Sequence, residues 1–89
     1  MAEHRFEWLT VKHMDSSFET LDLTGLKCPL PALLARRHLA RAPVGTRVLV
    51  LTDDPMAPID IPHMCRQDGF EVIETLRDGD RARILLRKP

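Results

Sequence analysis

The sequence has few cysteines, no excess of charge of either sign and no long apolar run. Its two cysteines, Cys28 and Cys65, are too few for a disulfide framework and do not form a C-x-x-C pair. Thirteen Lys and Arg residues balance thirteen Asp and Glu residues, which argues against general affinity for nucleic acid or an anionic membrane. The N-terminus also lacks the pattern of a signal peptide. We therefore expect a cytoplasmic, reduced protein that neither inserts into membranes nor binds nucleic acid directly.

Residues that would hold a metal or a cofactor are scarce as well. The four histidines are scattered, and none has the spacing to a cysteine that a closed zinc site requires. There is no Ser/His/Asp signature and no glycine loop of the kind that binds phosphate. At 89 residues the chain is long enough for one small domain, in which a large enclosed active site is difficult to build. We expect no metal, no cofactor and chemistry at the surface.

Hydrophobic patterns and turn residues predict four strands. The strands are expected at residues 18–23, 47–52, 70–76 and 81–87, and Asp78-Gly79 predicts a hairpin between the last two. The run at 47–52 is nearly continuous in apolar residues, which is typical of a central strand buried on both faces.

Two helices separate these strands. The first is expected to run from the segment that begins at Cys28 to about Arg41, and the second from about Ile59 to Asp68, with Gly69 as its C-terminal cap. The second begins either with Asp60 as the N-cap or nearer Pro58, with a bend at Pro62. The order β-α-β-α-β-β indicates an α+β two-layer sandwich, with two helices packed on one face of a mixed four-stranded sheet.

Residues 1–17 do not fit this pattern. Phe6, Trp8 and Leu9 could add an edge strand, but a polar terminus of this kind is more often mobile. We therefore divide the chain into an N-terminal extension, 1–17, and a domain, 18–89.

The position of Cys28 at a predicted helix start suggests a reactive thiol. Backbone N–H groups and the helix dipole favour a thiolate there and lower its pKa. Pro29 and Pro31 suit a first turn, and the N–H groups from Leu30 and Ala32 onward are expected to face the sulfur. Alanine at both prolines should leave the fold largely intact, because alanine is the better helix former. The alternative is that Cys28 is a small buried residue filling a turn.

The second cysteine has a different environment. Cys65 follows Ile61 by four residues and adjoins Met64 on the apolar side of the second helix. Free cysteine is commonly buried, so we expect Cys65 to be part of the core.

The first helix has two contrasting sides. Helical spacing places four small or apolar residues against the sheet: Ala32, Ala35, Leu39 and Ala42. Leu30, Leu34, Arg37 and Arg41 fall on the opposite side, beside the thiol. This side is either a docking surface for an acidic, partly apolar partner or an ordinary solvated face.

Three segments, LDLTGLKCPLP, TDDPMAPIDIPHMC and ILLRKP, resemble the TusA/SirA family of small sulfur-carrier proteins over about residues 18 to 89. The family hallmark is C-P-x-P at the head of the first helix. The resemblance implies the same β-α-β-α-β-β fold and a sulfurtransferase that works as a persulfide relay. Cys28 would accept sulfane sulfur from a cysteine desulfurase or rhodanese-type donor and pass it to a cysteine of an acceptor protein.

The resemblance also assigns other residues. Arg36 and Arg37 occupy the place of the family's basic residues, and Cys65 matches a second cysteine that is not the carrier. Family members serve tRNA thiolation, cofactor synthesis, sulfur oxidation or selenium handling. We expect a monomer when the protein is free.

Two other functions stay open at this point. One is a non-catalytic interaction module that uses the face of Leu30 and Arg37. The other is a thiol-disulfide redox protein in which Cys28 and Cys65 meet, although the pair lacks the usual local arrangement.

Overall fold

The structure, a computed structural model, describes residues 18–89, which form a four-stranded mixed sheet and two helices. In chain order the elements are β1 (Phe18–Asp22), α1 (Leu30–Arg41), β2 (Arg47–Thr52), α2 (Ala57–Asp68), β3 (Glu71–Asp78) and β4 (Arg81–Arg87). The predicted order β-α-β-α-β-β is therefore confirmed. The expectations for residues 1–17, including a strand with Phe6, Trp8 and Leu9, lie outside the described residues.

The strand order in the sheet is β1-β2-β4-β3. β1 pairs in parallel with β2, and β4 is antiparallel to both β2 and β3. Because β1 and β2 are parallel, their carboxyl ends meet at one edge of the sheet. The segments that follow them, residues 23–29 and 53–56, therefore emerge side by side.

The core lies between one face of the sheet and the two helices. Val48 and Val50 of β2 and Ile84 and Leu86 of β4 are fully buried there. On the helices the buried residues include Ala35, Leu39, Ile61 and Cys65.

The prediction that β2 is buried on both faces is wrong. Val48, Val50 and Thr52 are buried, whereas Arg47, Leu49 and Leu51 between them are only half-buried. Both helices lie on the same face, so the alternate residues of a central strand keep part of their surface exposed.

Helix α2 begins near Pro58, as one of the two alternatives predicted. Its first residue is Ala57, Pro58 lies in the first turn and Pro62 lies inside the helix. Gly69 ends it in the left-handed conformation, with φ of 81°, as predicted from the glycine. Asp60 is therefore not the N-cap; its side chain is free to point from the first turn toward the loop before α1.

Helix α1 begins at Leu30, two residues after Cys28. Pro29 occupies the N-cap position, and Pro31 is buried together with Ala35 and Leu39. The predicted stripe through Ala32 is thus rotated toward Pro31, while Ala32 itself is half-buried. Of the two helices described between residues 18 and 89, neither has the length and apolar character of a membrane span.

Candidate functional site

Cys28 lies in the loop between β1 and α1, and its thiol is exposed and free. Two consecutive aspartates that follow β2 hold this loop. The Gly25 N–H donates to Asp53 Oδ1 at 2.8 Å, and the Cys28 N–H donates to Asp54 Oδ2 at 3.3 Å. Gly25 has φ of 88°, which favours glycine in this turn. The loop is therefore fixed by side chains from the neighbouring strand end.

Asp54 joins three parts of the site. The residue is only 5% exposed, and its N–H donates to Thr52 Oγ1 at 3.2 Å. Its carbonyl oxygen accepts the Ala57 N–H at 3.0 Å, at the start of α2. A buried carboxylate needs hydrogen-bond donors, and the Cys28 N–H is one. Asp54 thus links the end of β2, the start of α2 and the backbone of Cys28.

The sulfur of Cys28 contacts a third carboxylate. Cys28 Sγ donates to Asp60 Oδ2 at 2.7 Å. This hydrogen bond is the main cause that raises the pKa of the Cys28 thiol above its usual value, followed by loss of hydration and by the charges of Asp60 and Asp54. A carboxylate that binds the neutral thiol and repels the thiolate acts in this direction.

The prediction of a lowered pKa for Cys28 is therefore wrong. Helix α1 begins too late to surround the sulfur with N–H groups, and the Leu30 N–H donates to the Lys27 carbonyl at 2.8 Å. The Cys28–Pro29 peptide bond is cis. The electrostatics of the thiol come from Asp54 and Asp60, which the helix-start argument did not include.

Cys65 is part of the core, as predicted. Its side chain is fully buried against the sheet. Burial is the main cause that raises the pKa of the Cys65 thiol to about 11, with a smaller contribution from the charge of Asp68. Cys65 is thus a neutral packing residue at physiological pH.

The predicted partner face is only partly exposed. Leu30 is 45% exposed, but Leu34 is half-buried and packs against the core. The expectation that Leu34 is exposed is wrong because the buried stripe of α1 passes through Pro31. Leu33, which the sequence argument did not single out, is 45% exposed instead.

The three arginines of α1 point in two directions. Arg36 lies on the side of α2, where its Nε is 3.6 Å from Asp68 Oδ2. Arg37 and Arg41 lie on the side of β1, where they line a groove of about 510 Å³ with Leu21 and other residues. Leu34, Arg37 and Arg41 of the predicted face therefore share one side of α1, whereas Arg36, which the resemblance adds, lies on the other.

Sequence reasoning missed the two carboxylates that contact Cys28. From the sequence alone, Asp54 fits either a functional loop at a strand end or ordinary turn chemistry, and Asp60 fits a helix N-cap. The available signal was the parallel pairing of β1 and β2, which brings the loops after them together. Among residues 18–89, no group of three or more His, Cys, Asp or Glu side chains is arranged to hold a metal ion.

Comparisons with known proteins agree on one family. A family model described as Sulfurtransferase TusA matches residues 19–88. Two proteins of Neisseria meningitidis, from serogroups A and B, are each 48% identical over 56 residues, which covers 63% of this chain and 76% of theirs. Both are named as candidate sulfur carrier proteins. The crystal structure of a SirA-like protein from Desulfitobacterium hafniense has a TM-score of 0.66 and 27% identity, and the match covers 76% of this chain and 93% of that one.

Proposed function

The chain belongs to the TusA family of sulfurtransferases, and from this membership we propose that Cys28 carries sulfane sulfur as a persulfide and passes it to a cysteine of an acceptor protein. The observation that supports this role most directly is the exposure of the free Cys28 thiol. A carrier thiol must be reached in turn by two different proteins, which an exposed loop permits. Buried Cys65 does not offer this access.

The transfer needs no metal and no external oxidant. The Cys28 thiolate attacks the outer sulfur of a donor cysteine persulfide, the donor S–S bond breaks, and the donor cysteine leaves and takes up a proton. The same exchange with an acceptor cysteine returns Cys28 to a thiol. A resolving thiol nearby would instead attack the persulfide and release sulfide, and Cys65 is kept away from this role by burial.

The surroundings of Cys28 have supporting roles in this proposal. Pro29 and Pro31 fix the chain direction between the thiol and α1. Leu30 and Leu33 are exposed apolar residues on the first turns of α1, and Met56 and Ile59 are exposed at the start of α2. Exposed apolar residues beside a functional group are typical of a surface that a partner covers.

The arginines of α1 complete the partner surface in this proposal. Arg36, Arg37 and Arg41 are exposed cations, and they suit acidic side chains of a donor or acceptor. The donor would be a cysteine desulfurase or a rhodanese-type protein, and the protein would act in the cytoplasm as a monomer when free.

Mass spectrometry of the intact protein tests the proposal. After incubation with a cysteine desulfurase and cysteine, we expect one added sulfur atom that a reductant removes and that maps to Cys28. Cys28→Ser should abolish the adduct, whereas Cys65→Ala should retain it. An adduct that maps to Cys65, or persists in Cys28→Ser, would contradict the proposal.

The same variants separate the alternative functions. A non-catalytic interaction module would bind its partner equally well with Cys28→Ser. A thiol-disulfide protein would form a Cys28–Cys65 bond, but both cysteines are free and Cys65 is buried, so no observation on the described residues favours it.

A further inference from the structure

Asp60 is the side chain that contacts the sulfur of Cys28 directly. It lies in the first turn of α2, is half-buried, and its Oδ2 atom accepts the thiol hydrogen bond at 2.7 Å. The second acid near Cys28 is Asp54, from the loop before α2, and Lys27 precedes Cys28 in its own loop. Within residues 18–89, no Lys, Arg or His side chain forms an ion pair with Asp60 or Asp54. Cys28 is therefore in contact with two acids that have no cationic partner among the described residues.

This arrangement opposes the first step of sulfur transfer. The thiolate is the nucleophile, and its formation would add a third negative charge beside Asp54 and Asp60. A cation placed at Asp60 would favour the thiolate in two ways. It would form an ion pair with the carboxylate in place of the thiol hydrogen bond, and it would offset the new negative charge on sulfur. Such a cation is absent from the neighbourhood of Asp60 in the described part of the chain. A partner that docks on Cys28 can bring one.

We infer that Asp60 is a positioning residue for sulfur transfer, which holds the Cys28 side chain in the free protein until a Lys or Arg side chain of the partner pairs with the Asp60 carboxylate. This inference rests on the proposed function. The released thiol gives its proton to solvent, and the thiolate forms the new bond to the outer sulfur of the donor persulfide. The electron pair of the broken S–S bond stays on the donor cysteine, so no oxidant or reductant is consumed.

The charge preference of small thiol reagents tests whether the site accepts a cation. A trimethylammonium methanethiosulfonate and a sulfonate methanethiosulfonate form the same kind of mixed disulfide and differ in charge. Each reaction rate of Cys28 in the folded protein is divided by its rate with the same reagent in the urea-unfolded protein. We expect the normalised rate at low salt to be about tenfold higher for the cationic reagent than for the anionic one. Equal normalised rates would overturn the inference, and this measurement needs no variant.

Substitution of Asp60 then tests whether its carboxylate is the source of the charge preference at Cys28. Asp60→Asn retains a hydrogen-bond acceptor of the same shape and removes the charge. We expect the charge preference to fall to about threefold. The pH profile of Cys28 alkylation by neutral iodoacetamide should move to lower pH, with an increase of about threefold in rate near neutral pH, because the larger thiolate fraction is partly offset by lower nucleophilicity.

Two matched variants exclude a merely structural effect. Asp80→Asn removes one negative charge from the exposed turn between β3 and β4 and should change neither readout. Asp60→Glu keeps the charge and should restore the preference for the cationic reagent. A profile for Asp60→Asn that superimposes on that of the unsubstituted protein would overturn the role of Asp60.

A donor protein tests the partner half of the inference. With a cysteine desulfurase and cysteine, loading of the unsubstituted protein should slow as salt is added, and loading of Asp60→Asn should depend less on salt. Identical salt dependence in the two proteins would overturn the proposed cation. Failure of every donor to load Cys28 would instead contradict the sulfur-carrier function, while the reagent rates still decide whether Asp60 holds the thiol.

Discussion

Cys28 and Cys65 are two thiols in one small domain. Comparing them separates the effect of a neighbouring carboxylate on the thiol pKa from the effect of burial. The thiol pKa is raised at both, mainly by the Asp60 hydrogen bond at Cys28 and mainly by desolvation at Cys65. A contact with one side chain can be exchanged when another protein docks, whereas burial ends only when the structure opens. Although the thiol pKa is raised at both residues, Cys28 therefore remains available for chemistry, whereas Cys65 is inert.

The elements that hold the two residues explain this difference. Cys28 lies in a loop at the carboxyl edge of two parallel strands, where side chains of different segments converge. Cys65 lies on the face of α2 that packs on β3 and β4, in contact with the core. Chemistry at the first position can change without altering the core, whereas a change at the second position alters the packing of the whole domain.

The largest expected effect is on alkylation of the native protein. Cys28 should react about a thousand times faster than Cys65, because Cys65 becomes accessible only in rare open states of a domain with a stability of about 5 kcal/mol. Iodoacetamide labelling followed by peptide mass analysis measures both rates in one sample. In urea the two rates should approach each other. Similar rates in the native state would contradict the comparison, since burial would then not protect Cys65.

The next effect is on stability in alkaline solution. The pKa of Cys65 is raised to about 11 in the folded protein and returns to its ordinary value of about 9.0 on unfolding. A group whose folded pKa is the higher one stabilises the fold below the unfolded pKa, and this contribution disappears as the pH rises toward the folded value. We expect the free energy of unfolding to fall by about 2 kcal/mol between about pH 8 and pH 11 through this residue.

Urea unfolding of Cys65→Ala provides the control for that prediction. The variant loses packing at every pH, but it lacks this thiol, so its stability should decline less steeply in alkali. The other titratable groups are common to both proteins and cancel in the difference. Parallel declines in the two proteins would show that ionisation of Cys65 does not oppose folding.

A smaller effect concerns Pro31, which belongs to the Cys28 motif in sequence but to the core in structure. Pro31 is fully buried, so Pro31→Ala should lower the free energy of unfolding by about 1.5 kcal/mol through lost apolar contact. The expectation for alanine at both prolines considered helix propensity alone, whereas the burial of Pro31 adds a packing loss. Pro43→Ala, at an exposed position, controls for the loss of backbone rigidity in the unfolded chain. Equal changes in the free energy of unfolding for the two substitutions would show that burial of Pro31 does not stabilise the fold.

The fold could be predicted from the sequence because its signals are local. Alternation in residues 18–22 and the glycine after α2 each depend on a few neighbouring residues. The burial of β2 could not be predicted in the same way. The identities of Leu49 and Leu51 do not reveal whether a second layer of structure covers their face of the sheet. Placing both helices on one face is a property of the whole chain.

The site shows the same limit more clearly. The sequence places Cys28 at a helix start, and a pKa argument from that position alone gave the wrong direction. The deciding residues, Asp54 and Asp60, are 26 and 32 residues away along the chain. Such contacts depend on the packing of α2 beside the loop, which no local pattern near Cys28 specifies.

The smallest expected effect concerns one side of α1, the helix that follows Cys28. Arg37 and Arg41 line the groove between α1 and β1, so a partner that reaches from Cys28 along this side of α1 would meet both cations. Reversing both charges, with Arg37→Glu and Arg41→Glu, should slow sulfur transfer about threefold at low salt, because charge complementarity acts mainly on association. The difference should shrink as salt screens the charges.

Arg66→Glu, on α2, shows what a change in net charge does elsewhere on the protein. Cys28 alkylation by neutral iodoacetamide should be unaffected by the double reversal. Transfer rates that are unchanged at low salt would mean that the groove is an ordinary solvated surface and that partners approach Cys28 from the side of α2.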